Sequence, residues 1–172
     1  MGKRNLGQRN NMKIIVAIAE NNAIGKAGDL LCHLPNDLKH FKELTTGATV
    51  VMGKKTFLSL PRRPLPNRRN IVLTRDTAFT YDQTEVAHSI EELQGMIQTD
   101  EQVFIIGGGE VYKQFLPYVD ELQITHIHYT WDDADTFFPQ IDPAEWHCVS
   151  NEYHEADEKH AYAYTFAVYT RK

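Results

Sequence analysis

Gln102-Val103-Phe104-Ile105-Ile106-Gly107-Gly108-Gly109-Glu110-Val111-Tyr112 decides the fold. Val103 to Ile106 is apolar at every position, which is the pattern of a strand covered on both faces. Three glycines follow, and the spacing predicts a helix from Glu110 to Leu116, ended by Pro117. A buried strand that turns through glycine into a helix is the unit of an α/β sheet with parallel strands. Glycines at such a junction let backbone approach a ligand and leave N–H groups free for an anion. The run is not the dinucleotide fingerprint, because Tyr112 stands where the third glycine would be. It is not a Walker loop either, because no Gly-Lys-Ser/Thr follows.

The same grammar recurs outward from this stretch. Lys13 to Ala19 reads as a central strand, followed by a turn at Glu20-Asn21-Asn22 and a long loop from Ala23 to His33. Thr49 to Gly53 is a short buried strand that runs into a helix from Lys54 to Leu60. Asn70 to Thr74 is the next strand, ending at Arg75. Thr84 to Ala87 reads as an edge strand. Ser89-Ile90-Glu91-Glu92 is a capping box before a helix whose apolar face is Leu93, Met96 and Ile97. Glu121 to Ile127 is another strand. Trp146–Tyr153 and Ala161–Tyr169 are aromatic and β-branched stretches separated by acidic residues, an antiparallel hairpin. The expected fold is therefore α/β: a mostly parallel central sheet of about eight strands, an antiparallel C-terminal hairpin, and helices on both faces.

The 172 residues suit one domain over 12–172, preceded by a flexible extension over 1–11 that carries Lys3, Arg4 and Arg9 but no apolar signal core. A net charge of −5 argues against a general nucleic-acid binder. No apolar run reaches the length of a membrane span. Cys32 and Cys148 form no CxxC and are expected to be reduced thiols of a cytoplasmic protein.

A second stretch carries the chemistry. Leu34-Pro35-Asn36-Asp37-Leu38-Lys39-His40-Phe41-Lys42-Glu43-Leu44 predicts a helix with Pro35 at its first position. On a helical wheel Leu34, Leu38, Phe41 and Leu44 form one apolar stripe, and Asp37 falls inside it. An ionised carboxylate there needs a partner, and no Lys or Arg lies one turn away on that face. Either Asp37 complements the helix dipole, or its partner is a ligand with hydrogen-bond donors. Lys54, Lys55, Thr56, Thr74 and Arg75 lie at the carboxyl ends of predicted strands, where open α/β sheets bind ligands, and they suit an anion. Among Arg62, Arg63, Arg68 and Arg69, one could clamp a carboxylate. His126 and His128 share a strand face with no third ligand fixed by spacing, so no metal is expected. No GxSxG nucleophile motif is present.

In order along the chain, Ile24-Gly25, Leu34 to Lys42, Val51-Met52-Gly53-Lys54-Lys55-Thr56-Phe57, Leu65-Pro66-Asn67-Arg68-Arg69-Asn70, Ile106 to Tyr112, Thr125-His126-Ile127 and Asp135-Thr136-Phe137-Phe138-Pro139 resemble the dihydrofolate reductase family of the bacterial chromosomal type. The resemblance implies NADPH-dependent reduction of 7,8-dihydrofolate to tetrahydrofolate, with hydride reaching pterin C6 and a water delivering the proton to N5. It implies Asp37, Leu30 and Thr125 as the catalytic set. It implies a substrate pocket of Ile15, Val16, Asp37, Leu38, Phe41, Leu60, Leu65, Ile106, Tyr112 and Thr125, with Arg68 on the glutamate carboxylate. On the cofactor side it implies Ala17, Ile24 and Gly25 near the nicotinamide. Gly53, Lys54, Lys55, Thr56, Leu73, Thr74 and Arg75 would hold the adenosine phosphates. Ile106, Gly107, Gly108, Gly109, Glu110, Val111, Tyr112 and Thr136 would surround the pyrophosphate, with a cis peptide between Gly107 and Gly108. A cytoplasmic monomer that binds antifolates, and neither nucleic acid nor membrane, is expected. The chain departs from the family at Cys32, where a tryptophan is usual, and at Pro61-Arg62, where the loop is one residue longer than in the shorter members. The alternatives are the same-fold pyrimidine reductase of riboflavin synthesis and a non-catalytic folate or nucleotide binder.

Overall fold

The structure is a computed structural model that describes residues 12–25 and 31–172. The extension expected over 1–11 and the catalytic expectation for Leu30 lie outside the described residues. In chain order the elements are β1 Met12–Ala19, β2 Ala23–Gly25, α1 Pro35–Thr45, β3 Thr49–Gly53, α2 Lys54–Ser59, β4 Arg69–Leu73, β5 Glu85–Ala87, α3 Ile90–Met96, β6 Val103–Gly107, α4 Gly109–Phe115, β7 Glu121–Ile127, β8 Thr136–Phe137, β9 Trp146–His154 and β10 Tyr164–Arg171.

Eight strands make one sheet in the order β5-β4-β3-β6-β1-β7-β10-β9. The pairs from β5 through to β7 are parallel. Strand β10 runs antiparallel to both β7 and β9, so the C-terminal hairpin is built into the sheet through β10. Mostly parallel strands, buried on both faces, explain the continuous apolar runs of β1, β3 and β6.

Strand alternation sorts the core into two layers. Ile14 and Ile18 of β1 pack with Val51, Ile71 and Ile105 beneath Leu93 of α3 and Phe115 of α4. Ile15 faces the other way, with Val50, Met52, Val72 and Phe104 beneath Phe57 of α2 and Phe41 and Leu44 of α1. Ile14, Val50, Ile71 and Ile105 are fully buried. Each such side chain contributes about 1.5–3 kcal/mol by leaving water. Helices therefore cover both faces, as the sequence predicts.

Local chemistry sets the helix ends. The Ser89 Oγ accepts from the Glu92 N–H at 3.0 Å, but the Glu92 carboxylate accepts from the His88 N–H rather than from Ser89, so the box closes one residue early. Helix α1 starts at Pro35 as expected, yet its cap residue, Leu34, has no side chain able to cap it.

Two expectations need correction. Residues 23–25 are not plain loop: they pair antiparallel with Thr136–Phe137 as β2 and β8. A three-residue strand is too short to show a period. The continuous stripe on α1 is also broken. Leu34 packs with Ile127 and Tyr164, while Phe41 and Leu44 pack in the layer with Ile15. Leu38, between them, is 47% exposed, because the helix meets two clusters with a gap between. No helix among the described residues is long and apolar enough to cross a membrane.

Candidate active site

Asp37 lies in the first turn of α1, and that turn points it at β7. The Thr125 Oγ1 donates to the Asp37 Oδ1 at 2.6 Å. Thr125 is buried in β7 beside Ala17 of β1 and Phe166 of β10, so its hydroxyl is fixed by the sheet register. Burial raises the Asp37 carboxyl above its ordinary value; the Thr125 hydrogen bond and nearby His40 pull it partly back. A half-buried carboxylate whose one donor among the described residues is a neutral hydroxyl retains acceptor capacity for a ligand.

Five residues expected around the substrate meet on the same side of the sheet. Ile15 heads an apolar cluster to which Phe41, Leu60, Leu65 and Ile106 contribute. Val16 does not join them. Its side chain belongs to the opposite layer with Ile14 and Ile18, because successive residues of a strand face opposite ways. Tyr112 packs its ring in that layer, yet its hydroxyl lies near enough to Asp37 to sense the carboxylate charge. It is buried in the α4 layer and its hydroxyl donates to the Ile15 carbonyl at 2.9 Å, while burial pushes its phenol well upward.

Arg68 stands at the far end of α1. Its Nη1 donates to the Thr45 Oγ1 at 3.0 Å and its Nε to the Pro66 carbonyl at 2.9 Å. Partial burial lowers its basicity from the ordinary value, a sign of an incompletely hydrated guanidinium. Buried Asn70 pins this loop, because its amide bonds the N–H and carbonyl of Leu65 and the carbonyl of Arg68. Arg69 is not a clamp. It binds Glu85 and Asp100 and serves β4 and its neighbours.

The strand ends on the cofactor side converge through the register. Gly53 pairs with Leu73, and Met52 pairs with Gly107. This brings Lys54, Thr56, Thr74 and the glycine run to one rim. Gly107 has φ +138°, a conformation that side chains avoid, and a Cβ on Gly109 would sit 2.8 Å from the Thr136 Cγ2. A Cβ on Gly108 would sit 3.2 Å from the Thr56 Oγ1. The run is thus a bare backbone surface between α2 and β8. The Gly107–Gly108 peptide is cis, as the resemblance implies. Ile24 reaches the same glycines, and the Gly25 carbonyl accepts from the Asp135 N–H at 3.1 Å. The Val111 side chain is buried, so this residue can offer only backbone here; Glu110, Lys55 and Arg75 are exposed.

Sequence reasoning missed four residues. Asp76 takes Lys54 as an ion-pair partner at 2.8 Å, and Lys54 also lies over the Phe79 ring at 5.5 Å. Asn70 was legible as a strand residue and as the end of a family stretch, not as the anchor of the Arg68 loop. Trp131 and Tyr162 pack with Cys32 against Leu34, Ile127 and Tyr164. The aromatic run Tyr129-Thr130-Trp131 was the available signal. The Cys32 thiol is pushed up to about 11 by burial and then by the Asp37 charge. His126 and His128 hydrogen-bond to Tyr169 and Thr165 of β10 instead of converging on an ion. Among the described residues no group of three His, Cys, Asp or Glu could hold a metal.

An open α/β sheet with a glycine-lined, basic rim at its strand ends and a half-buried carboxylate beside an apolar pocket defines a nucleotide-binding class with a second, ring-sized ligand. The model of the dihydrofolate reductase family matches residues 11–171. The chain is 44% identical to the dihydrofolate reductase of Haemophilus influenzae over 159 residues, covering 92% of this chain and 98% of that one. It is 40% identical to that of Bacillus subtilis over 161 residues, covering 94% and 95%. A structure of dihydrofolate reductase from Enterococcus faecalis, complexed with NADP(H) and RAB-propyl, superposes with a TM-score of 0.87 at 42% identity, covering 96% of this chain and 98% of that one. This chain belongs to the dihydrofolate reductase family.

Proposed function

We propose that this chain reduces 7,8-dihydrofolate to tetrahydrofolate with NADPH, and that Asp37 grips the pterin ring. The observation that carries the reading is the Asp37–Thr125 pair at the mouth of the Ile15, Phe41, Leu60, Leu65 and Ile106 pocket. The Asp37 Oδ1 has one lone pair engaged by Thr125, so Oδ2 and the remaining pair face the pterin N3 and 2-amino donors. Planar, paired donors on an anion give about twice the strength of neutral hydrogen bonds. Leu38, exposed beside Asp37, offers apolar surface for the pterin or the benzoyl ring to cover. Arg68 clamps the α-carboxylate of the glutamate tail, with Asn70 holding its loop in place.

The cofactor rim fits NADPH on the same grounds. A pyrophosphate needs bare backbone, which the 107–109 run supplies, and a 2′-phosphate needs cations, which Lys54, Lys55 and Arg75 supply. Thr56 and Thr74 add hydroxyls at that rim. NADPH, when bound, supplies the hydride that pterin C6 receives. The chain's own groups prepare the ring: Asp37 holds it by its pyrimidine edge, and its charge raises the basicity of N5. Asp37 reaches pterin N3 and the amino group rather than N5, so the proton arrives through a water.

Loss of NADPH absorbance on adding dihydrofolate tests the reading, with the ribosylaminopyrimidine of riboflavin synthesis as the comparison substrate. Turnover on dihydrofolate alone is expected; turnover on neither substrate would leave a binder and overturn it. The chain acts as a monomer in the cytoplasm on this reading, and a single size-exclusion peak at its own mass of 19.8 kDa is expected.

A further inference from the structure

Helix α1 lacks the residue that usually starts a helix. Ser, Thr, Asp or Asn at the cap position normally accepts from a first-turn N–H, and Leu34 cannot. Pro35 has no N–H, so the first donor to need a partner is the Asn36 amide, directly before Asp37. That partner comes from far along the chain. The Asn36 N–H donates to the His160 Nε2 at 3.1 Å, and the Asn36 side-chain amide donates to the Tyr164 hydroxyl at 2.8 Å. His160 is 2% exposed.

The tautomer of His160 follows from these bonds. Nε2 accepts, so it carries no proton, and Nδ1 carries one and donates it to the Asp157 Oδ1 at 2.8 Å. The same Asp157 oxygen accepts from the N–H groups of Lys159 and His160 at 2.9 and 2.8 Å, which fixes it under the ring. The other titratable groups on this side are Tyr164, whose ring lies 5.2 Å from that of His160, and His154, stacked on Tyr164 at 5.0 Å. Along the same turn lie Glu158 and Lys159, and α1 itself contributes His40, stacked on Phe166 at 4.1 Å.

We propose that His160 is a positioning residue for the substrate carboxylate: held in one tautomer by Asp157, its imidazole caps α1 at Asn36 and so sets where Asp37 meets Thr125 and the pterin. The inference rests on the reading of Asp37 given above. Its consequence is selective. The cap lies at the pterin end of α1 and away from the Lys54 rim, so its loss weakens the grip on dihydrofolate and leaves NADPH untouched.

The test uses His160→Leu, which has no acceptor, His160→Gln, whose side-chain carbonyl can accept from Asn36, and Asp157→Ala, which frees the wrong tautomer. KM for dihydrofolate, KM for NADPH and the pH profile of kcat/KM are measured for each, with Asp37→Asn as the reference. His160→Leu is expected to raise KM for dihydrofolate roughly fivefold, the size of one lost cap, and to shift the pH profile, with KM for NADPH unchanged. His160→Gln is expected to recover most of the loss, and Asp157→Ala to fall between. If His160→Leu does not fold, Asp157→Ala against His160→Gln decides by the same split. Equal changes in both KM values, no change in either, or failure of Gln to do better than Leu overturns the proposal. Near-normal turnover by Asp37→Asn at neutral pH would instead overturn the reading of Asp37 itself.

Discussion

Replacing Asp37 by Asn should stabilise the protein while disabling it. Burial holds the Asp37 carboxyl above its ordinary 3.8, so the folded state binds that proton more tightly than the unfolded chain does. A group of this kind costs stability at neutral pH. The cost is absent below 3.8 and grows as pH rises through the raised value. Asn keeps an oxygen for the Thr125 hydroxyl, now 2.6 Å from the carboxylate, and removes the buried charge. The charge-assisted bond becomes a neutral one, which offsets part of the gain. Desolvation is the largest influence on Asp37, so the balance favours the amide, by about the net worth of one hydrogen bond, on the order of 1 kcal/mol. For a chain of this size that is a melting temperature higher by roughly 2–4 °C at pH 7, with a smaller difference in acid. Activity should move the other way. Removing an anion that stabilises charge in the transition state costs about 10²–10³ in kcat/KM. Part of the activity should return at low pH, where substrate arrives already protonated at N5. Thermal melts and steady-state kinetics across pH measure both halves. A lower melting temperature than the unsubstituted protein, or turnover within a few fold of it at pH 7, refutes the argument.

Further outcomes are expected. Lys54→Ala should weaken NADPH more than NADH, and Asp76→Asn, which frees Lys54 from its 2.8 Å ion pair, should strengthen NADPH more than NADH; titration of both cofactors that gives equal shifts counts against the 2′-phosphate role. Arg68→Ala should raise KM for dihydrofolate with little change in melting temperature. Arg69→Ala, which loses Glu85 and Asp100, should lower stability by about 1 kcal/mol with kinetics intact. In thiol labelling at mildly alkaline pH, exposed Cys148 should react quickly and Cys32, pushed up to about 11, slowly; similar rates would contradict the burial of Cys32 against Leu34 and Tyr164.

The sheet was legible because buried parallel strands write themselves as unbroken apolar runs. Thr49–Gly53 was bounded correctly on that signal. Asp37 was legible as an anomaly, a charge on an apolar stripe. What the sequence hid was pairing over distance. Strands β2 and β8 are three and two residues long, and neither shows a period. The face of Val16 was available from alternation, since Ile15 and Val16 cannot both point at one pocket, yet the resemblance placed both there. The His160 cap had only a negative signal, the leucine where a capping side chain belongs.

Helix α1 leaves the ribosome well before the polar groups that hold Asp37 and Asn36. Thr125 follows Asp37 by 88 positions, and the groups that receive Asn36 follow it by 124 and 128. Until β7 pairs with β1 a nascent chain has a carboxylate on a helix with no hydroxyl beside it, and until His160 and β10 arrive that helix has no cap. The site is therefore completed only with the last step, the docking of the C-terminal strands. A substrate analogue present during refolding can capture only molecules that have completed that step, which makes its binding a clock for closure of the sheet.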